Sequence, residues 1–177
     1  AGLSLPQMPK QFTSLKVVTM ATGDIQTVAT FDLASSNNLI VHGWTTRDEI
    51  VFSMPSAVGP GGVSRASDAF VVSASGGQPR KVFNLDWLPG LDTEHRSQIG
   101  NLTADGASIV IVRDEHLALV DLGTGKETAI SLGIAPAYPQ VSSDGKLIAF
   151  LSRQNGAWAV YVAPFDSLPI RNPVRVA

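Results

Sequence analysis

One pattern returns three times along this chain: a strand, a polar turn and an apolar strand. It reads Gly43-Trp44-Thr45-Thr46-Arg47-Asp48-Glu49-Ile50-Val51-Phe52-Ser53, then Asn101-Leu102-Thr103-Ala104-Asp105-Gly106-Ala107-Ser108-Ile109-Val110-Ile111, then Gln140-Val141-Ser142-Ser143-Asp144-Gly145-Lys146-Leu147-Ile148-Ala149-Phe150. Asp-Gly favours the positive-φ geometry of a tight hairpin, so Asp105-Gly106 and Asp144-Gly145 mark hairpin turns. The first copy carries Asp48-Glu49 and is one residue shorter, so its turn must differ. Each copy is followed by a second pair of strands joined through glycine or proline, at Ala69–Gly77, Leu117–Gly125 and Trp158–Asp166, and a fourth such pair, Leu15–Phe31, lies upstream.

Short runs rich in Val, Ile, Phe and Thr fill the rest, among them Ile50–Met54, Ile109–Val112 and Leu147–Leu151, bounded by Gly, Pro, Asp, Asn and Ser. No long stretch places apolar residues at helical spacing behind a capping box. The expectation is therefore an all-β chain, and units of about 40 residues with four strands each are the signature of propeller blades. The predicted organisation is an extended arm over 1–13 and a propeller segment over 14–177, made of a half blade (14–32) and blades over 38–85, 98–132 and 137–177. That is a partial or small β-propeller of about three and a half four-stranded antiparallel blades.

At these residues the sequence resembles the TolB-like (WD-type) propeller repeat, which also occurs in prolyl-oligopeptidase-type and tricorn-type peptidases. Val141-Ser142-Ser143-Asp144-Gly145-Lys146-Leu147-Ile148-Ala149-Phe150 is similar to the family's W-S-P-D-G-K-x-I-A-F element, and Phe70–Val72 with Gly76-Gly77-Gln78-Pro79-Arg80-Lys81-Val82 to its next. The family's proline before Asp-Gly is Thr46-Arg47, Ala104 and Ser143 here, and its tryptophan survives only as Trp44. The resemblance implies propellers that usually close with about six or seven blades. An unclosed ring leaves raw strand edges. The chain is then a piece of a longer protein, a small four-bladed ring, or a partial ring closed by another chain; the last, with a protein partner or a second copy on the open side, is the favoured expectation.

Composition narrows the partner classes. Thirteen basic and 15 acidic side chains leave a net charge of −2, which offers no excess to neutralise phosphates. No apolar run reaches the roughly 20 residues of a membrane span. With no cysteine, disulfides and thiol chemistry are absent. The family resemblance implies an extracytoplasmic, periplasmic location, and a removed leader would suit a small residue at Ala1.

No G-x-S-x-G elbow occurs, although His42, His95 and His116 leave a spatial Ser-His-Asp set open. The expectation is a protein without catalytic residues, cofactor or metal. Asp92, Glu94 and His95, and Asp114-Glu115-His116, are acidic clusters with an imidazole, but no metal-motif spacing joins them and they read as solvated polar turns. Gly59-Pro60-Gly61-Gly62 lies in a long loop, Pro55–Ser67, with none of the phosphate-cradling spacings. That loop and Asp86–Ser97 are the expected contact regions, since binding residues concentrate on long loops of rigid scaffolds. Trp87, Asp92, His95, Pro60 and Arg65 are the candidate protein contacts. Trp44, Phe52, Phe70, Phe150, Trp158 and Tyr161 are expected in the core between blades. Asn101-Leu102-Thr103 is a glycosylation sequon that its strand context argues against using.

The expected function is a non-catalytic propeller module, a protein-binding scaffold or a structural subunit of an assembly. The alternatives are the substrate-gating propeller of a prolyl-oligopeptidase-type serine peptidase and the sensor domain of a membrane-bound regulator.

Overall fold

A computed structural model describes residues 12–32, 39–58, 64–86, 98–165, 168–170 and 172–176. Strands β1 (Phe12–Val18) and β2 (Ile25–Asp32) form a two-stranded sheet. Strands β3 (Ile40–Trp44), β4 (Glu49–Val58), β5 (Ser64–Ser73) and β6 (Arg80–Asp86) form the second sheet in that order. The third contains β7 (Gln98–Leu102), β8 (Ser108–Arg113), β9 (His116–Asp121) and β10 (Glu127–Ile130). The last contains β11 (Ala137–Val141), β12 (Leu147–Gln154), β13 (Ala157–Pro164) and β14 (Val174–Arg175). All pairings are antiparallel between chain neighbours, and there is no helix among the described residues. This is the meander of a partial propeller, all-β as the turn spacing predicts.

The unbroken apolar runs follow from stacking. Successive side chains of a strand point to opposite faces, so a run such as Ile109-Val110-Ile111-Val112 feeds two interfaces at once. Ile109 and Ile111 join Val51, Ala69, Val71 and Val120 between the second and third sheets. Val110 and Val112 join Val141, Ile148 and Ala163 between the third and last. Ile50, Phe52 and Val72 take the other face of the second sheet and meet Leu15 and Val28 of the first. Phe52 anchors this contact, with its ring centroid 5.3 Å from Phe31 and 5.5 Å from Phe70.

The first strands of the three larger sheets converge. A Cβ built on Gly100 would fall 2.5 Å from the Pro139 carbonyl oxygen, so β7 and β11 approach at backbone contact. Asn101 stitches them: its Nδ2 donates to the Val141 carbonyl at 2.8 Å while the Val141 amide donates to its Oδ1 at 2.6 Å. A sequon asparagine engaged on both sides by backbone is a structural side chain, in keeping with its strand context.

The repeated turns stack on one another in the same order. In the Asp-Gly copies a hydroxyl organises the turn. Thr103 donates to Asp105 at 2.6 Å and accepts from the Ser108 amide, and Ser142 does the same with Asp144 and Leu147. The shorter first turn uses Thr45 as acceptor for the Arg47 and Glu49 amides, with Asp48 at φ 54. Gly106, at φ +64, lies so close to the preceding turn that a Cβ would stand 2.7 Å from the Thr46 amide nitrogen. Gly145 repeats this against Ala104 at 2.9 Å. Glycine is demanded there twice, by its dihedral and by its neighbour.

Gly106→Ala is expected to cost about 2–4 kcal/mol, the left-handed penalty plus a backbone clash. Gly133→Ala, at φ +71 with open space around it, should cost only the dihedral part, about 1–2 kcal/mol. Urea denaturation of the two variants checks the difference, and equal losses would mean the turns do not stack. The Ser152 hydroxyl is buried with no hydrogen-bond partner among the described residues. Ser152→Ala should therefore raise stability, by about 1 kcal/mol; a lower urea midpoint would contradict this.

Candidate functional site

Of the residues singled out from sequence, Trp87, Asp92, His95 and Pro60 lie outside the described residues. Arg65 falls in β5, where only its backbone is described. The stretch Pro55–Ser67, expected as a long loop, is largely strand: pairing continues through Pro55 with Ser67, Ala57 with Ala66 and Val58 with Ser64. Register shifts bracket Ala57, and β3 ends its pairing with β4 at Ser53. Pro55 thus sits where no ladder on the β3 side needs its missing amide. The sequence reading took the Gly-Pro cluster as the centre of a loop, when strand pairing reaches close to it on both sides.

Several of the described acids form turns, Asp68 and Glu127 pair with Lys81 and Arg113, and the His42 imidazole is partly buried. Asp114 and Glu115, at φ 48 and 65, are the two-residue turn between β8 and β9, closed by the Arg113–His116 pair. Their spacing is hairpin chemistry of the primed type. The hydroxyl of Thr103 and the Ala107 amide hold Asp105 below the usual carboxylate range, and Ser142 and Thr124 hydroxyls do the same for Asp144 and Asp121. These acids are committed to their own turns. Among the described residues no three His, Asp or Glu side chains gather as a metal site.

His42 is different. It occupies the bulge of β3 between Val41 and Gly43, with Nε2 sharing a hydrogen bond with the Ser53 hydroxyl at 2.8 Å. Burial pushes its pKa down to about 4, so the ring is neutral at physiological pH. The pair has the outline of a base and a hydroxyl nucleophile, but Ser53 is 4% exposed. No carboxylate among the described residues hydrogen-bonds the ring to orient it, as a triad requires. No motif marked this pair in the sequence; only a strand bulge brings the two together.

The surface carries a stronger signal. Trp44 and Trp158, expected in the core, are 50% and 42% exposed. The reason is register. Trp44 and Val41 lie opposite Ile50 and Phe52 and share their face, but the two-stranded first sheet covers that face only over β4 and β5. At the other end, Leu147, Leu151, Val160, Val162 and Trp158 share the face of the last sheet that points away from the third. Among the described residues the exposed large apolar side chains all belong to residues 12–44 or 138–176: they lie on the first sheet and its turn, on β3 of the second sheet, and in the last sheet and the segment beyond β13, with none on the third sheet. A hollow of about 300 Å³ lies on the third sheet beside Leu168, lined by Ser108, Asp121, Thr124 and Lys126 among others. Its Asp121 is already taken by Thr124.

No protein-family model and no curated protein sequence matches the chain. Solved structures do. TolB from Acinetobacter baumannii superposes with a TM-score of 0.61 at 17% identity, over 92% of this chain and 37% of that one. An oligogalacturonate lyase solved with manganese gives 0.59 at 14% identity, over 86% and 39%. Puromycin hydrolase gives 0.53 at 16% identity, over 96% and 26%. The fold is a β-propeller arc. The TolB-like resemblance of the repeats is thus matched at the level of fold, and the chain spans well under half the length of these three proteins.

The partly buried His42 imidazole predicts a pH dependence. An unfolded chain takes up a proton at His42 near pH 6.5, whereas the folded ring resists until about pH 4. Stability is full above the unfolded value and falls as the pH drops through that window. Thermal unfolding from pH 7.5 to 4 should show this decline, and His42→Gln should flatten it between pH 6.5 and 4. An unchanged slope in the variant would assign the decline to other groups.

Proposed function

We propose that this chain is a non-catalytic propeller module whose work is to bind protein through the two open ends of its arc. The observation that carries the reading is the half-exposed apolar side chains at both ends of the arc, Val41 and Trp44 at the first and Leu147, Trp158 and Val174 at the last. Exposed apolar side chains gathered on one face of a folded domain are a mark of interaction surfaces. The acids engaged in turns and the enclosure of Ser53 support a scaffold over a catalyst. Among the described residues no helix is long and apolar enough to cross a membrane, and the likeness to the TolB-like repeat favours work outside the cytoplasm.

The superposition on puromycin hydrolase, over 26% of that chain, favours a second reading. The arc would then be the gating propeller of a peptidase whose catalytic domain is a separate unit. In either reading these residues carry no chemistry of their own.

Two measurements test this. The chain should hydrolyse neither chromogenic prolyl peptides nor short-chain esters, and Ser53→Ala should leave the trace unchanged. Hydrolysis lost on Ser53→Ala would overturn the non-catalytic reading. Immobilised chain and a Trp158→Glu control should differ in what they retain from an extract of the source cells. Identical retention would remove the last sheet from the binding surface.

A further inference from the structure

We propose that the outermost strand of a sheet in this arc is latched from outside by the sheet that follows it, and that Ile170 is the latch for β10. The latch is needed alike in an arc that binds protein and in one that gates a peptidase.

An outermost strand pairs on one side only, and β10 is sparsely held. It is four residues long, and Ile130 is its one buried side chain, with Glu127, Thr128 and Ala129 exposed. The Arg113 guanidinium pairs with Glu127 at 3.0 Å, but the two side chains are 29% and 34% exposed, and ion pairs open to solvent add little. Strands with so few buried contacts open locally at small cost. Ile130 therefore decides whether β10 stays closed on its sheet.

The connection after the third strand of each four-stranded sheet reaches back to the outermost strand of the sheet before it. Between β5 and β6 (74–79), the Ser75 carbonyl accepts from Gln26 Nε2 of β2 at 2.9 Å. Between β9 and β10 (122–126), Leu122 is fully buried among the side chains that join the second and third sheets. Its carbonyl accepts from Arg80 Nη2 of β6 at 2.7 Å. A Cβ on Gly125 would fall 2.9 Å from the Val82 carbonyl oxygen, so the same connection lies on the β6 backbone. Between β13 and β14 (165–173), Ile170 is buried in the cluster that holds Ile130, Val112 and Leu117 of the third sheet. Leu168 lies with Thr128 of β10 along the hollow on that sheet.

At this last boundary the hold is apolar, so it depends on how well one side chain fills its place. Ile170 belongs to no strand. It can withdraw without breaking a strand ladder, and Ile130 is then left on a wetted face with one neighbouring strand to keep it.

Hydrogen exchange read by mass spectrometry on the whole chain tests the latch. In Ile170→Ala the amides of 127–130 should exchange about tenfold faster than in the wild type, or more, while those of Ile109–Val112 in β8 keep their protection. Unchanged exchange over 127–130 would overturn the latch. Val141→Ala opens a cavity in the same cluster from β11 and should not single out β10. If it speeds exchange over 127–130 as much as Ile170→Ala does, the effect belongs to the cluster as a whole and the latch is overturned. Should Ile170→Ala fail to fold, Ile170→Val, one carbon shorter, carries the same comparison: β10 must loosen ahead of β8, and equal loosening of the two strands overturns the proposal.

Discussion

A β-sheet that is apolar on both faces has to be covered twice, and nearly everything in this molecule follows from that requirement. Val51 and Phe52, neighbours in one strand, are both fully buried because they point into different interfaces. The same holds for Ile109 through Val112. Such strands cannot form a two-layer sandwich with one wet side. They can only be stacked, and stacking sheets around converging first strands produces the arc. The hydrophobic term is thereby distributed over several separate clusters between sheets instead of one central core.

The turns make the stack specific. Apolar faces alone would let sheets slide over one another, since burial is non-directional. The Ser/Thr-x-Asp-Gly turns remove that freedom. Each is held internally by a hydroxyl and a carboxylate, and each places a glycine against the turn before it, Gly106 on the Thr45–Thr46 backbone and Gly145 on the Ala104 methyl. The Thr46 hydroxyl adds a bond to the Asp105 carbonyl at 3.0 Å. The Asn101 amide supplies the equivalent lock between the last two sheets, reading the Val141 backbone as a neighbouring strand would. Polar groups here set the order and spacing of sheets whose attraction is apolar.

The same architecture explains how the described turn carboxylates are engaged and where surface is left over. Asp114 and Glu115, which look like a cluster in the sequence, form a hairpin turn, and the partly buried His42 imidazole is bonded to the buried Ser53. What the stack does not consume is its two terminal faces. Trp44 and Trp158 have the side chains of core residues and stand about half exposed.

Fold class and strand order were legible because both depend on short-range chemistry. Alternation, Asp-Gly turns and β-branched runs act within a few residues, so β8, β9 and β12 can be traced almost to their ends. The role of Asp105 was legible for the same reason. The exposure of Trp44 and Trp158 was not, since side-chain type does not say whether a neighbouring sheet is present. Nor was the His42–Ser53 pair, which a bulge creates, or the Asn101–Val141 stitch, whose partners lie 40 residues apart. The loop reading of Pro55–Ser67 failed because glycine and proline mark turns without saying how far the pairing around them extends. The sequence by itself determined the blades, because local backbone preference and alternation are written in every segment. Only the tertiary structure decided which faces stay open and which polar groups lock the sheets, because both depend on what a distant part of the chain brings into contact.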